Sequence, residues 1–221
     1  MPGRLIVERE PGDFAMLQRL LRKPAPQAPG ERCDYCAEPL GSEHAHLIDL
    51  QAHRIMCSCR ACYIVFQPAG AAQGRYKTVP ARYLEIEGFA LDDAAWERLQ
   101  IPIGLAFFFT NSAEDRTVAL YPGPAGATES QLDLGAWNEI VADYGALGSL
   151  EPDVEAVLVL RRRGAARAFV VPIDAAYRLV GLIRLSWKGF DGGVEAWNRI
   201  DAFFDELSER SAGRVPAGAR W

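Results

Sequence analysis

Histidine and cysteine are scarce in this chain and missing from most of it: three histidines and five cysteines all lie between residues 33 and 62. From residue 75 onward there is neither, which removes the side chains that most often act as nucleophile or general base near neutral pH. Signature motifs are missing too. There is no G-x-S-x-G elbow, no G-x-x-x-x-G-K-S/T loop, no H-E-x-x-H and no G-x-G-x-x-G after a strand. Carboxylate or lysine chemistry stays open at Glu129, Asp133, Asp174 and Lys188, although Asp133 and Asp174 read better as helix caps. Positive charge is in deficit, with a net charge of -5, so no whole-protein field draws in nucleic acid or an anionic membrane. The one basic run, Arg161-Arg162-Arg163, reads as a solvated hairpin tip, because it lacks the interleaved aromatics that stack bases. Lysine is nearly absent, and the arginine bias suggests a GC-rich bacterial coding sequence and no particular chemistry. Long apolar runs are lacking: Ile101 to Phe109 is the longest and is about half the ~20 residues a spanning helix needs. The acidic Glu8, Glu10 and Asp13 stand where an export signal would be apolar, so the expected compartment is the cytoplasm.

What is present suits a folded protein. With 221 residues, 49% hydrophobic and 24% charged, the chain has room for a small module and one ordinary domain. The cysteines form Cys33-x2-Cys36 and Cys59-x2-Cys62 across a 22-residue insert, with Cys57 just ahead of the second pair. An odd, clustered set without an export signal argues for metal or redox chemistry over a disulfide framework. Two C-x2-C turns complete a tetrahedral shell, so Cys33, Cys36, Cys59 and Cys62 are the expected ligands of a structural zinc. Rubredoxin-like iron is disfavoured because neither pair is followed by Gly or Pro. An iron–sulfur cluster through Cys57, Cys59 and Cys62 has the right thiolates but matches no ferredoxin spacing. A thioredoxin-like dithiol needs a preceding strand, whereas Cys33 follows the linker Pro24 to Gly30.

Between the pairs, His46–Leu50 and Arg54–Cys57 read as a hairpin. A turn at Gln51-Ala52 puts His46 opposite Cys57 and His44 opposite Cys59. In that register His44, His46 and Cys57 gather as an additional metal cluster suited to zinc, copper or nickel. The plainer reading makes Cys57 a small buried residue, the histidines hydrogen-bonded surface groups, and His53 an exposed turn residue.

The organisation expected is an N-terminal helix (Asp13–Lys23) with a Pro-rich linker over 1–31, a zinc-ribbon-like Cys-rich module over 32–74, an α+β domain over 75–211 and a flexible tail over 212–221. In the third part the order reads helix 93–99 capped by Asp92, strands 103–110 and 117–121, a Pro/Gly loop, helix 134–144, strands 154–161 and 167–171, helix 175–185 capped by Asp174, and helix 194–211. This gives two ββα units, with Trp137 and Tyr177 in comparable places, and predicts an antiparallel sheet covered on one face by helices. Arg178, Arg184, Trp187 and Lys188 around one helix suggest a partner-binding surface. The Pro122–Ser130 loop is a candidate pocket wall.

Taken together, Cys33-Asp34-Tyr35-Cys36, His44-Ala45-His46-Leu47, Cys57-Ser58-Cys59-Arg60-Ala61-Cys62, Ile103 to Phe108, Tyr121-Pro122 with Pro124 to Ser130, and Tyr177 to Arg184 resemble an uncharacterised bacterial family. Its genes often accompany those of nickel–iron (NiFe) hydrogenases. The resemblance implies a part in hydrogenase maturation or assembly and transfers no catalytic residue. The expectation is a non-catalytic, zinc-stabilised accessory protein that binds another protein, with a hydrogenase component as the implied partner. The alternatives are a metal-handling or electron-transfer protein using the Cys/His cluster with nickel or iron, and a small-molecule enzyme at the Pro122–Ser130 loop.

Overall fold

The computed structural model describes residues 30–211, apart from 124–125, 131–133, 163 and 190–191, together with 214–216. The N-terminal helix expected at Asp13–Lys23, the cap expected at Asp133 and most of the expected tail lie outside the described residues. The described part is mixed α+β, built on antiparallel pairing.

A small sheet comes first, with β1 (Ala45–Asp49), β2 (Arg54–Ser58) and β3 (Tyr76–Thr78) in the order β2-β1-β3, all antiparallel. The β1–β2 turn is fixed by Asp49, whose carboxylate accepts from the backbone N–H groups of Gln51 (3.0 Å) and Ala52 (3.1 Å). The resulting register pairs Asp49 with Arg54 and His46 with Cys57, as the hairpin arithmetic predicts. Strand alternation then sends Ile48 and Ile55 toward the rest of the molecule, while Leu47 and Met56 are buried on the opposite side. β3 lies beyond residue 74 yet pairs with β1, and Val79 N–H continues the contact to the His46 carbonyl at 3.0 Å. Between β2 and β3 runs α1 (Arg60–Phe66), which the sequence reading does not anticipate; Cys59 sits at its N-cap.

The large sheet holds β4 (Leu84–Glu87), β5 (Leu105–Asn111), β6 (Arg116–Gly123), β7 (Gly126–Glu129), β8 (Glu155–Arg162), β9 (Ala165–Pro172) and β10 (Arg214–Pro216) in the order β10-β4-β9-β8-β5-β6-β7. All neighbours are antiparallel except β10, which runs parallel to β4 and occupies residues expected in the tail. Among the described residues four α-helices accompany it: α2 (Asp93–Arg98), α3 (Leu134–Asp143), α4 (Ile173–Ser186) and α5 (Gly193–Arg210). The Asp92 carboxylate caps α2 by accepting from Ala95 N–H at 2.7 Å, as expected.

Three expectations are corrected here. Helices cover both faces of the large sheet, not one. Leu105, Phe107, Leu158 and Phe169 pack with α4 and α5, whereas Ala106, Phe108, Val157 and Val170 pack with Trp96 of α2 and Trp137 of α3. The physical reason is the run of apolar residues in β5, β8 and β9, which is continuous and not alternating, so each face needs cover. Trp137 stacks on Phe108, with centroids 3.9 Å apart, and Tyr177 meets Phe107 edge-on at 5.7 Å. The two residues that suggest a duplication therefore lie on opposite faces of one strand. Second, the described residues of the Pro122–Ser130 segment are largely strand, since Pro122 pairs with Ala127 and Leu120 with Glu129. Third, two members of the basic run are not free: Arg161 pairs with Asp93, and Arg162 with Asp201 while lying over the Trp197 ring.

The small sheet docks on the α4 face. Ile48 and Val79 belong to the same buried cluster as Leu105 and Leu179, so the seam between the two sheets is apolar at its centre. No helix among the described residues is long and apolar enough to cross a membrane.

Candidate metal centre

Cys33 and Cys36 stand on a tight turn. Ala37 N–H donates to the Cys33 carbonyl at 2.9 Å, and Ala37 takes a left-handed φ of 60°. Asp34 clamps this turn onto β2: its N–H donates to the Cys57 carbonyl (2.9 Å) and its carboxylate accepts from Cys57 N–H (2.7 Å). Asp34 has no place in the sequence reading, because its partner lies across the hairpin. Cys59 and Cys62 arrive on the start of α1, where Cys59 Sγ accepts from Cys62 N–H at 3.4 Å.

The four sulfurs of Cys33, Cys36, Cys59 and Cys62 all lie within 4.8 Å of one another, with Cys36 and Cys59 at 3.6 Å. Four cysteines this close can hold a metal ion. Burial pushes the Cys33 thiol up, but backbone hydrogen bonds with Cys59, Cys36 and Tyr35 outweigh it and hold the group at about 6. Burial and the neighbouring thiols of Cys59, Cys33 and Cys36 push Cys62 up to about 12. The turns thus favour one thiolate, and a bound cation would favour the others.

His44, His46 and Cys57 form the second group, with one ligand atom from each also within 4.8 Å of the others. The histidine rings are 4.6 Å apart, centroid to centroid. His44 Nδ1 lies 3.0 Å from the Gly41 carbonyl, which can only accept, so Nδ1 carries the proton. His46 Nδ1 lies 2.7 Å from Asp174 Oδ2. Asp174 does not stand at the N-cap, because α4 begins at Ile173 with Pro172 there; inside the first turn its Oδ1 accepts from Ala175 N–H (2.9 Å) while its Oδ2 reaches β1. His44 Nε2 is buried and finds no hydrogen-bond partner. Burial, then the carboxylates of Glu31 and Asp34, push the Cys57 thiol up.

Both histidines line a cleft of about 900 Å³ between the small sheet and the α4 side of the large one. Asp174, Arg178, Arg210 and Tyr83 line it too. Arg178 and Arg210 both pair with Glu206, at 2.7 Å and 3.3 Å, and Arg210 lies 4.2 Å from the Tyr83 ring centroid. His53 is an exposed turn residue with a φ of 48°.

The four residues named from sequence as a partner-binding surface have different surroundings. Arg178 faces the cleft, Arg184 is exposed on α4, Trp187 is half-buried against the core with Nε1 donating to the Gly189 carbonyl (3.1 Å), and Lys188 pairs with Glu195 (2.7 Å). The most exposed large apolar side chains nearby are Leu185 and Val194, and Ile64 and Val65 on α1 are exposed as well.

Residues 32–211 match the model of the Family of unknown function (DUF5947), and the chain belongs to that family. No curated protein and no solved structure matches it.

Proposed function

We propose that this member of DUF5947 is a zinc-stabilised accessory protein without a reaction of its own, and that it works by binding another protein. The observation that carries the reading is the all-sulfur set of Cys33, Cys36, Cys59 and Cys62 within 4.8 Å, on two turns joined by a hairpin. Four thiolates fill a tetrahedral zinc shell and leave no position for substrate, which is the signature of a structural ion. The module needs such an ion. α1 buries none of its residues, and the small sheet contributes few side chains to the main core.

The partner-binding part rests on apolar exposure: Leu185 on α4 and Ile64 with Val65 on α1 stand in solvent, as interface anchors do before a partner covers them. Arg184 supplies charge beside Leu185. The gene neighbourhood implied by the resemblance to a hydrogenase-associated family makes a nickel–iron hydrogenase component the proposed partner, in the cytoplasm. Metal analysis of full-length protein purified under reducing conditions tests the first half. Cys59→Ser should lose one equivalent of zinc and the order of the small sheet; retention of both refutes it. Co-expression with hydrogenase subunits tests the second half: the wild type should co-purify with one of them and Leu185→Glu should not.

A further inference from the structure

We propose that His44, His46 and Cys57 form a second metal site, at the wall of the cleft, for a divalent first-row transition cation. This goes beyond the structural zinc and does not depend on it, because the two ligand sets share no residue.

The strand register sets the site. His46 and Cys57 are directly paired across β1 and β2, and His44 lies two residues along on the same face, which puts all three ligand atoms within 4.8 Å. Both imidazoles are oriented for coordination. Their Nδ1 atoms are committed, His44 to the Gly41 carbonyl (3.0 Å) and His46 to Asp174 (2.7 Å), which leaves the Nε2 lone pairs for a cation. A carboxylate behind a ligating imidazole is the usual support for a metal-bound histidine, fixing its tautomer and raising its basicity.

An independent sign comes from His44 itself. Its side chain is only 7% exposed, and its Nε2 is buried without a hydrogen-bond partner. Buried polar atoms are rarely left so, and a bound cation would supply the missing partner. Two imidazoles and one thiolate are a donor set of borderline softness, suited to zinc, cobalt or nickel and not to calcium or magnesium. Three protein ligands leave a tetrahedral cation one free position, the arrangement of sites that bind an exogenous ligand. His44 and His46 line the 900 Å³ cleft, so a space large enough for a small molecule lies beside the site.

The test uses the full chain carrying one equivalent of zinc, titrated with cobalt(II) and followed by visible absorption and thiolate-to-cobalt charge transfer. A second equivalent should bind with the spectrum of four-coordinate cobalt bearing one sulfur. Cys57→Ser should remove the charge-transfer band, and His46→Ala should abolish tight binding. Asp174→Asn keeps every ligand and should weaken cobalt binding about 10- to 100-fold with an unchanged circular dichroism spectrum, while Asp174→Glu recovers part of the loss. No binding beyond the first equivalent overturns the proposal. So does a cobalt spectrum that Cys57→Ser leaves intact, since cobalt would then have entered the four-cysteine site. An Asp174→Asn affinity equal to wild type overturns the orienting role given to that residue.

Discussion

The two sheets of this molecule hold themselves together by different means. The large one is covered on both faces, with Phe107 and Leu158 buried against α4 and α5 and Phe108 and Val157 against α2 and α3. The small one has three short strands, and the helix it carries has no fully buried residue. Each large apolar side chain buried contributes about 1.5–3 kcal/mol, so solvent exclusion dominates the large sheet. The small sheet has polar devices in its place: Asp34 clamping β2, Asp49 gripping both its own turn and Arg75, and clustered sulfur. Chemistry gathers where hydrophobic burial is thin.

The sharpest way to break this comparison is chelation. Structural zinc contributes about 10–16 kcal/mol to small zinc modules. Stripping the proposed zinc should therefore collapse amide protection in β1 and β2 while β5, β8 and β9 stay protected in hydrogen exchange; uniform loss or uniform retention would show that the sheets do not differ in this way. Next in size is Phe108→Ala, which removes a ring stacked on Trp137 and should cost about 3–5 kcal/mol in urea unfolding, with metal content unchanged. Glu155→Gln is smaller. That buried carboxylate receives Arg82 through two hydrogen bonds (2.7 and 2.5 Å) as well as Glu151 N–H (2.9 Å), and weakening them should cost about 1–3 kcal/mol by the same measurement.

Acid provides a gentler probe of the small sheet. Arg75 holds the Asp49 carboxyl at about 2, below its ordinary 3.8. A carboxyl depressed in the folded state stabilises fully above its ordinary value and loses that contribution as pH falls toward 2. Arg75→Met should therefore start acid unfolding of the small sheet at a higher pH than wild type, as read by far-ultraviolet circular dichroism. Coincident curves would remove Asp49 from the account. The smallest effect is expected for metal-free Cys57→Ser, whose stability should stay within about 0.5 kcal/mol of metal-free wild type. A larger loss would make Cys57 a packing residue.

Much of the small sheet could be read from the sequence because its information is local. The C-x2-C pairs and the turn around Gln51-Ala52 determine which residues face each other, and His46 opposite Cys57 follows by counting. The Asp92 cap on α2 is local in the same way. Contacts between distant segments were not legible. Asp174 looks like a helix cap because nothing in its neighbourhood reveals His46, 128 residues earlier, as its partner. The two-sided cover of the large sheet was available in principle, since LAFFF and AVLVL are continuous apolar runs, but expecting alternation hides it. Pairing of Pro122 with Ala127 was obscured by proline and glycine, which ordinarily argue for a loop and here lie near the edge of the sheet.

The contact of His46 Nδ1 with Asp174 Oδ2 joins β1 to α4, and so spans the seam between the two sheets. It therefore belongs to two equilibria, the closure of the seam and the aim of an imidazole. Thermodynamic reciprocity ties them: by whatever factor a closed seam improves the grip of that imidazole on a ligand, the ligand favours the closed seam by the same factor. A partner that pries the small sheet away would loosen whatever the histidines hold, and a chain emptied at the histidines would open more readily to a partner.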